Sequence, residues 1–585
     1  MKRTLLTLAA SALAGAAVAQ PIGTTEIIAE SYLNSPLSYR VADAQRAPNG
    51  DYVFLLDVTD TSTDMVVTRT TANGAVIWTR AFPRPGAPGG QFCHMLTIAQ
   101  DGKIYAVSSI DGTNDARDFY FVELNSLGFK LNERVVDHFS NDYQVGDFQA
   151  SPDGAVYFCA GGLSSAQPLL VRMNADLTTD WAYSMGNSAG VATQRAGELD
   201  TATDGSVVAS ATYDSVGDTD CQFVRLTAAG TFVYEKLLGD SANNDAVPKV
   251  MQGSDDYTYF TYTRSHLTAS EETRLSRYDA AGVFQWNKQD PGFAESAFAE
   301  TPHGTFVFTE VQNAAPFSLK VFEFDGSGNV LWSKTSTRPN MDSHSLGNLR
   351  VDDDGYISIS TFGAFTGKVG GDMLLAAFSR SGVPLYEWAY DTGAGFYDVP
   401  AGLVNAALGE VVFTGATSVS GAYDTQTFQI RPVLLVQPNS YNLRLGRRDA
   451  GNLNSTFADD NDVLRICKFI VPNQSAAPIN IEFDSTVPAD YPIRTVEFQT
   501  IVKANTVGLQ QDVQLWNFLS NSWDQSALTS ITLSEQKTST PGLPDPNVEG
   551  ITRNVRSRVR VRQIGPVTLS IWCVELDLAG WRITP

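Results

Sequence analysis

The feature that most constrains this chain is a turn signal that recurs about every 51 residues. Successive copies end 52, 52, 51, 51, 48, 51 and 54 residues apart, close to the period of propeller blades. Their last residues are Gly50, Gly102, Gly154, Gly205, Asp256, Gly304, Gly355 and Gly409. Strand-like runs follow the turns, as at residues 52–55 and 104–107. Asp-Gly and Asn-Gly before such runs are typical of hairpins, because glycine readily adopts the positive φ that these turns need.

A second element returns 20 to 25 residues after each turn and ends on an aromatic residue. Tryptophan ends five copies: Trp78, Trp181, Trp286, Trp332 and Trp388. The fourth repeat has Tyr234, and the second has no aromatic at the matching place. We predict four strands per repeat, with the aromatic on the outermost strand packing between neighbouring blades as a core residue.

The repeats predict an all-β fold, an eight-bladed β-propeller over residues 20–436. An outer strand at residues 25–30 precedes the first repeat, whereas the eighth repeat ends at residues 428–430 with no outer strand after it. The N-terminal strand is therefore expected to complete the last blade and close the ring, which leaves no open sheet edge.

The period stops after residue 436, and residues 437–585 have a different rhythm. Alternating segments at 495–499, 513–518 and 567–572 predict a β-sandwich. One strand places Arg556, Arg558, Arg560 and Arg562 on a single face. This ladder suits an acidic glycan or another surface polymer. The favoured alternative is a solvated strand face paired with acids such as Glu575 and Asp577.

The first 19 residues are predicted to be a secretory signal peptide. Lys2 and Arg3 precede an apolar run, and Ala17-Val18-Ala19 forms a small-residue cleavage site before Gln20. A glutamine at this place predicts no acyl anchor, and no later apolar stretch reaches the ~18 residues of a transmembrane helix. The expected location is periplasmic, cell-surface or extracellular.

Charge is distributed unevenly along the chain. Its 64 acidic and 41 basic residues give a net charge of −23 over 585 residues. Residues 437–585 hold 14 basic and 15 acidic side chains, and residues 20–436 hold 25 and 49. So acidic a surface repels phosphate backbones, which argues against a nucleic-acid partner.

The five cysteines are Cys93, Cys159, Cys221, Cys467 and Cys573. Most are expected to be buried small hydrophobic residues. Cys467 and Cys573 lie in strand-like runs of the same region, and an oxidising compartment allows them to pair, although the sequence leaves the pairing open. Their spacing fits neither a zinc site, nor a c-type haem, nor a dithiol motif.

The Asp-x-x-Gly-x-x-x-Trp element that ends at Trp286 and at Trp332 resembles the tryptophan-docking repeat of eight-bladed quinoprotein-like, or PQQ-like, propellers. That group includes pyrroloquinoline-quinone dehydrogenases and the propeller lipoprotein of the outer-membrane assembly machine. The resemblance covers about residues 24–436 and implies the fold. Residues 459–462, residues 515–518, the arginine ladder and Trp581 resemble a C-terminal all-β domain of secreted bacterial proteins, which implies attachment or sorting.

Catalytic motifs are weak. The chain has neither the adjacent cysteine pair nor the haem motif of quinoprotein dehydrogenases, so that activity is not carried over from the resemblance. A G-x-S-x-G string at residues 186–190 follows the Trp181 strand in a linker and is interpreted as a loop. The histidines are His94, His138, His266, His303 and His344. Of these, His94 at the entry of an inner strand and His344 just before another are candidates for facing the axial opening, although partly buried or loop histidines are the favoured interpretation.

Four acid-rich loops, at residues 111–115, 214–220, 352–354 and 459–462, are candidates for calcium. None has the EF-hand register, and hairpin loops use the same residues. The sequence therefore predicts no catalytic or cofactor-binding residue and leaves a metal site, with calcium as the candidate, open.

These observations favour a secreted, non-catalytic binding or scaffold protein of the bacterial cell envelope or exterior, with a protein or glycan ligand. The alternative is an enzyme, oxidoreductase or hydrolase-like, whose residues come singly from several blades around the axis. Three or more converging carboxylates or histidines would favour the enzyme, and a lining of serine, threonine and small apolar residues would favour the binding protein.

Overall fold

A computed structural model describes most of the chain between residues 24 and 584. The described residues are 24–32, 39–58, 64–72, 74–83, 91–111, 117–136, 143–162, 167–185, 194–215, 218–239, 245–264, 271–312, 317–338, 341–365, 371–390, 397–405, 410–419, 422–457, 462–468, 477–489, 491–524, 528–565 and 571–584. The predicted signal peptide lies outside them.

The strands up to residue 436 follow one another in sets of four after a first strand. They are β1 Thr24–Tyr32; β2 Tyr39–Arg46, β3 Tyr52–Val58, β4 Met65–Thr70, β5 Val76–Phe82; β6 Gln91–Ile98, β7 Ile104–Asp111, β8 Arg117–Leu124, β9 Lys130–Val136; β10 Tyr143–Ala150, β11 Val156–Gly162, β12 Leu169–Met173, β13 Thr179–Ser184; β14 Gln194–Thr201, β15 Val207–Ser215, β16 Asp218–Leu226, β17 Phe232–Leu238; β18 Ala246–Gln252, β19 Thr258–Arg264, β20 Glu272–Tyr278, β21 Phe284–Pro291; β22 Ala294–Glu300, β23 Phe306–Gln312, β24 Phe317–Phe324, β25 Val330–Arg338; β26 Met341–Val351, β27 Ile357–Phe365, β28 Asp372–Phe378, β29 Pro384–Tyr390; β30 Tyr397–Asn405, β31 Val411–Val419 and β32 Ala422–Val436.

Seven of these sets are separate four-stranded sheets in which each strand pairs with the next along the chain, from β2–β5 to β26–β29. The strands β30, β31 and β32 pair in the same way, and β1 pairs with β32 as predicted. The first strands of the sets contact one another in the order β2, β6, β10, β14, β18, β22, β26 and β30, and β30 contacts β2 again. This closed ring of sheets is the arrangement of a β-propeller.

The all-β fold and its four-stranded antiparallel sheets are confirmed. The eighth set is not a separate sheet, because β32 continues past its pairing with β31 and its residues Leu434, Leu435 and Val436 pair with the last strand of the chain. The exact number of blades therefore stays a prediction.

The recurring turns lie between the first and second strands of the sets, as the hairpin signals in the sequence predicted. In the first, the N–H of Gly50 donates to Ala47 O at 2.9 Å, and the N–H of Ala47 donates to Asp51 O at 2.8 Å. Gly50 has φ +90°, a conformation that side chains disfavour. Asp256, the one non-glycine residue that ends a turn signal, has φ 64°, so the aspartate adopts the same left-handed conformation.

The predicted packing of the aromatic residues between sheets is also confirmed. The indole N–H of Trp78 on β5 donates to Ser126 O of the next sheet at 3.3 Å, and a Cβ on Gly128 would lie 2.7 Å from Trp78 Cδ2. Trp181 and Trp286 repeat this contact, donating at 3.0 and 3.1 Å to carbonyls two residues before the turn glycine of the next sheet. Each outermost strand of this kind is thereby attached to its neighbour.

The C-terminal strands are β33 Ser440–Leu445, β34 Arg447–Ala450, β35 Leu464–Cys467, β36 Ile479–Thr486, β37 Thr495–Ala504, β38 Leu509–Asn517, β39 Ser522–Trp523, β40 Leu528–Ile531, β41 Gln536–Gly542, β42 Asn554–Gln563 and β43 Cys573–Thr584, with a 3-10 helix at Leu453–Thr456 and a helix α1 at Pro544–Asn547. One sheet joins β34, β35, β43, β37 and β41, and the other joins β33, β36, β42, β38, β39 and β40. Phe483 of the second contacts Phe498 of the first with ring centroids 5.9 Å apart, so the two sheets face each other as a β-sandwich.

Cys467 and Cys573 form a disulfide between β35 and β43, which settles the pairing that the sequence left open. Cys93, Cys159 and Cys221 are not part of this disulfide and are buried, as expected. Among the described residues, no helix is long and apolar enough to cross a membrane.

By contacts, the chain divides into two compact units. One comprises Ile27–Gly382 and Trp388–Ile430, and the other comprises Arg431–Pro585 with Val383–Glu387. The domain limits of 20–436 and 437–585 stay a prediction.

Candidate functional site

Every innermost strand of the ring carries a β-bulge against its second strand. The register skips between Val41 and Asp43, Cys93 and Met95, Val145 and Asp147, Ala196 and Leu199, Ala246 and Lys249, Ala294 and Ser296, Leu346 and Leu349, and Pro400 and Gly402. Bulges re-aim side chains and are common beside active sites, so the polar groups of these innermost strands are the first candidates for a site.

Two aspartates at equivalent bulges each join one sheet to the next. Asp43 Oδ2 accepts from the N–H of Leu96 on β6 at 3.0 Å, and Asp147 Oδ2 accepts from the N–H of Leu199 on β14 at 3.0 Å. The second oxygen of each accepts the N–H of the following residue, Ala44 or Phe148, at 2.7 Å. Each carboxylate is thus satisfied by main-chain donors of two sheets.

Three further side chains make the same link at other junctions. Asp200 on β14 accepts from the N–H of Gln252 on β18 at 2.8 Å. Thr97 on β6 accepts from the N–H of Ala150 on β10 at 2.9 Å, and Glu295 on β22 from the N–H of Leu346 on β26 at 2.7 Å. In all five links the acceptor lies on the strand that comes earlier in the chain. Each of these side chains therefore hydrogen-bonds one innermost strand to the next.

Burial raises the pKa of all three aspartates. The pKa values of Asp43 and Asp200 rise to about 6. That of Asp147 rises to about 7, first because of its burial and then because of the negative charge of Glu198. Carboxyl groups that titrate near neutrality are found among general acids and bases, but structural networks shift pKa values too. Here the oxygens are occupied by main-chain N–H groups, which indicates a structural role.

Glu198 and Lys249 are charged side chains of the inner strands that remain partly exposed. Lys249 Nζ lies 2.6 Å from Glu198 Oε1, with side chains 20% and 40% exposed. Among the described residues, no group of three or more histidine, cysteine, aspartate or glutamate side chains could hold a metal ion. Asp147, Asp200 and Glu198 nevertheless lie close together, since the negative charge of Glu198 raises the pKa of both aspartates. Of these three carboxylates, the two aspartates are occupied by main-chain N–H groups.

The histidines do not form a cluster among the described side chains. His94 was expected at the entry of an inner strand; it lies within β6, at the bulge, and is half-buried. His344 was predicted just before an inner strand, which is wrong: it lies within β26, opposite Gly363. His303 is exposed in a turn. His138, His266 and the G-x-S-x-G string lie outside the described residues.

Among the acid-rich loops, the one at residues 352–354 is a hairpin turn. Asp352 Oδ1 accepts the N–H of Asp354 at 3.0 Å and that of Tyr356 at 2.7 Å. The other three loops lie wholly or largely outside the described side chains. Calcium at those loops stays an open question.

A second candidate region is the outward face of the sandwich sheet that contains β42. The strand alternates as predicted, with Val555, Ser557, Val559 and Val561 buried and the four arginines outward. Trp516 on β38 and Trp523 on β39 lie across the same face, with ring centroids 5.1 Å apart. We call this surface the Arg–Trp face; it consists of Arg556, Arg558, Arg560, Arg562, Trp516 and Trp523.

The partners of the arginines differ from those expected. Arg556 Nε lies 2.5 Å from Asp484 on β36, and Arg560 Nη1 lies 3.4 Å from Asp512 on β38. The predicted partner Glu575 instead pairs with Arg465 and Lys503 on the opposite sheet. The prediction was wrong because β36 and β38 flank β42 in the sheet, an order that the sequence does not reveal.

Arg558 has neutral partners. Its Nε donates to Gln514 Oε1 at 2.5 Å, and its guanidinium lies 4.3 Å from the ring centroid of Trp523. Burial is the first cause of a lowered pKa of Arg558, followed by the positive charge of Arg560. The aromatic part of this face was not predicted from the sequence. The spacing of Trp516 and Trp523 around a hairpin was the signal that could have indicated it.

No protein-family model matches the sequence. No curated protein matches it either. Among solved structures, the chain is similar to a europium-containing methanol dehydrogenase, with 10% identity over 69% of this chain and 93% of that chain and a TM-score of 0.42. It is also similar to the β-propeller domain of the Trilobed protease from Pyrococcus furiosus, with 9% identity, coverage of 67% and 95%, and a TM-score of 0.34. A protein of unknown function from Dyadobacter fermentans DSM 18053 shows 11% identity, coverage of 62% and 98%, and a TM-score of 0.34. Likenesses this distant do not bear on activity or ligand.

Proposed function

We propose that this chain is an exported, non-catalytic binding protein whose ring of sheets is a rigid scaffold and whose Arg–Trp face contacts the ligand. The basic start, apolar run and small-residue exit of residues 1–19 support export. The all-β fold is compatible with a non-catalytic role, since propellers occur both in binding proteins and in enzymes.

The observation that carries the proposal is the contrast between the two candidate regions. Asp43, Asp147 and Asp200 are occupied by main-chain donors of neighbouring sheets, so their carboxylates hold the ring together. The Arg–Trp face instead presents guanidinium groups and indole rings on an outward sheet face; Arg562 is exposed, and the Arg556 side chain is 42% exposed. Arginine and tryptophan are the residue types that most often dominate binding surfaces.

Binding of the mature chain, residues 20–585, to insoluble cell-envelope material tests the proposal. We expect the chain to co-sediment, and we expect Arg558→Gln with Arg562→Gln to release it. A thermal shift with calcium and pyrroloquinoline quinone, together with quinone-dependent reduction of a dye, would overturn the proposal in favour of the enzyme. Retention that is indifferent to the arginine substitutions would place the binding surface elsewhere on the chain.

A further inference from the structure

We infer that the ligand of the Arg–Trp face is an anionic polysaccharide, a polymer of sugar rings that carry carboxylate or sulfate groups. This inference rests on the proposed function and names the ligand class of that same site. Three features of the face support it. The face carries more positive than negative charge, indole rings lie beside that charge, and polar side chains lie on the same face.

The face carries more positive than negative charge. Five arginines and three acids point outward from β33, β36, β42 and β38: Arg444, Arg556, Arg558, Arg560 and Arg562, with Glu482, Asp484 and Asp512. Three ion pairs use all three acids. These are Arg444 with Glu482 at 2.9 Å, Arg556 with Asp484 and Arg560 with Asp512.

The two remaining arginines, Arg558 and Arg562, form no ion pair within the part of the chain that the structure describes. Arg558 is held in place by Gln514 and Trp523, which orient its guanidinium. Glu482 and Asp512 attract it electrostatically but form their ion pairs with Arg444 and Arg560. Arg562 is exposed four residues further along the same strand, roughly 14 Å away at 3.4 Å per residue. Two oriented or accessible positive groups at this spacing suit an extended ligand that presents several anionic groups, because guanidinium forks bind carboxylates and sulfates in two-point contacts.

The remainder of the face suits sugar rings. Trp516 and Trp523 are half-buried, and their edge-to-face contact leaves part of each ring at the surface. An indole offers an apolar surface to the C–H groups of a pyranose. Gln510 and Asn480 lie on the same face beside Arg562 and Arg560, where their amides can donate to and accept from hydroxyl groups.

The interleaved acids argue against a densely charged polyanion. Glu482, Asp484 and Asp512 lie beside the arginines and would repel closely spaced phosphates. A polysaccharide with one anionic group per sugar or fewer, and hydroxyl groups between, fits alternating charges better than a nucleic acid does.

The test is calorimetric titration of the mature chain with polygalacturonate, with a dextran sulfate of low substitution that carries at most about one sulfate per glucose, and with neutral dextran. We expect binding to at least one of the two anionic polymers, weakening as salt is raised from 50 to 500 mM because exposed charges are screened, and no binding to dextran. Polygalacturonate and dextran sulfate distinguish carboxylate from sulfate recognition. Arg558→Gln with Arg562→Gln should raise the Kd by about tenfold or more, and Trp523→Ala should also raise it.

Arg447→Gln with Arg494→Gln is the matched control, since it removes the same charge from the same domain away from the face, on exposed residues; its Kd should stay within about twofold of the wild type. Equal losses in both double variants would overturn the inference, because they would indicate a general charge effect. Binding to dextran alone, or to envelope material but to neither anionic polymer, would overturn the ligand class while the proposed function stands. No binding to any polymer or to envelope material would overturn both.

Discussion

At the residue scale, the ring depends on positions where a side chain meets the neighbouring sheet. Gly128 is such a position, because its φ is +79° and its Cα faces the ring of Trp78. The repeat in the sequence was sufficient to predict this aromatic contact. The links made by Asp43 and Asp147 were not predicted, although each lies seven residues before a turn glycine, because a carboxylate's partner 52 or 53 residues away is set by the bulge of the next sheet.

Gly128→Ala should lower the free energy of unfolding by about 2–4 kcal/mol, as the sum of backbone strain and overpacking against Trp78. Gly154→Ala is the control, because Gly154 has a similar φ of +84° but nothing within 4 Å of an added Cβ. It should cost about 1 kcal/mol, from strain alone. Chemical denaturation of both variants measures the difference, and equal losses would contradict the account of Trp78 docking.

Asp147 should make stability depend on pH. Its pKa is raised from 3.8 to about 7 in the folded chain, so the folded state holds a proton that the unfolded state has lost. Its contribution to stability is therefore fully present below about pH 4 and is lost as the pH rises to about 7. Asp147→Asn removes this titration, so the stability of the variant relative to the wild type should increase across that range and then level off. Thermal unfolding from pH 4 to 8 measures this, with the exposed Asp101→Asn as control; a pH-independent difference would contradict it.

At the element scale, the four-stranded sets and their hairpin turns were predictable, because turn glycines and strand runs are local signals. The bulge on each innermost strand was not, since a bulge is defined only by pairing with β3, β7 and their equivalents. In the sandwich, the alternation along β42 was predictable, but its neighbours β36 and β38 were not.

The disulfide between β35 and β43 joins residues 106 apart in the sequence. Removing it with Cys467→Ser and Cys573→Ser together should lower the stability of the C-terminal domain by about 2–4 kcal/mol, because the unfolded chain gains freedom. The propeller strands contain no described disulfide and should unfold at an unchanged temperature. Calorimetry with and without reductant would show this as a shift of one transition; a shift of both by equal amounts would contradict independent units.

At the scale of the whole molecule, we propose that the ring supplies rigidity and the Arg–Trp face binds the ligand. Five side chains hydrogen-bond one inner strand to the next and so hold the scaffold together: Asp43, Thr97, Asp147, Asp200 and Glu295. The charge imbalance between the two parts of the chain, visible in the sequence, is consistent with this division, because the nearly neutral part carries the arginine face.

Hydroxyl-radical footprinting of the mature chain, with and without polygalacturonate or dextran sulfate, tests this division most directly. We predict that oxidation of Trp516 and Trp523 falls on addition of the polymer that binds, while oxidation of Trp78, Trp181 and Trp286 stays unchanged. Protection of residues on the innermost strands β2, β6 and β10, with Trp516 and Trp523 oxidised as before, would contradict the account and return attention to the axis of the ring.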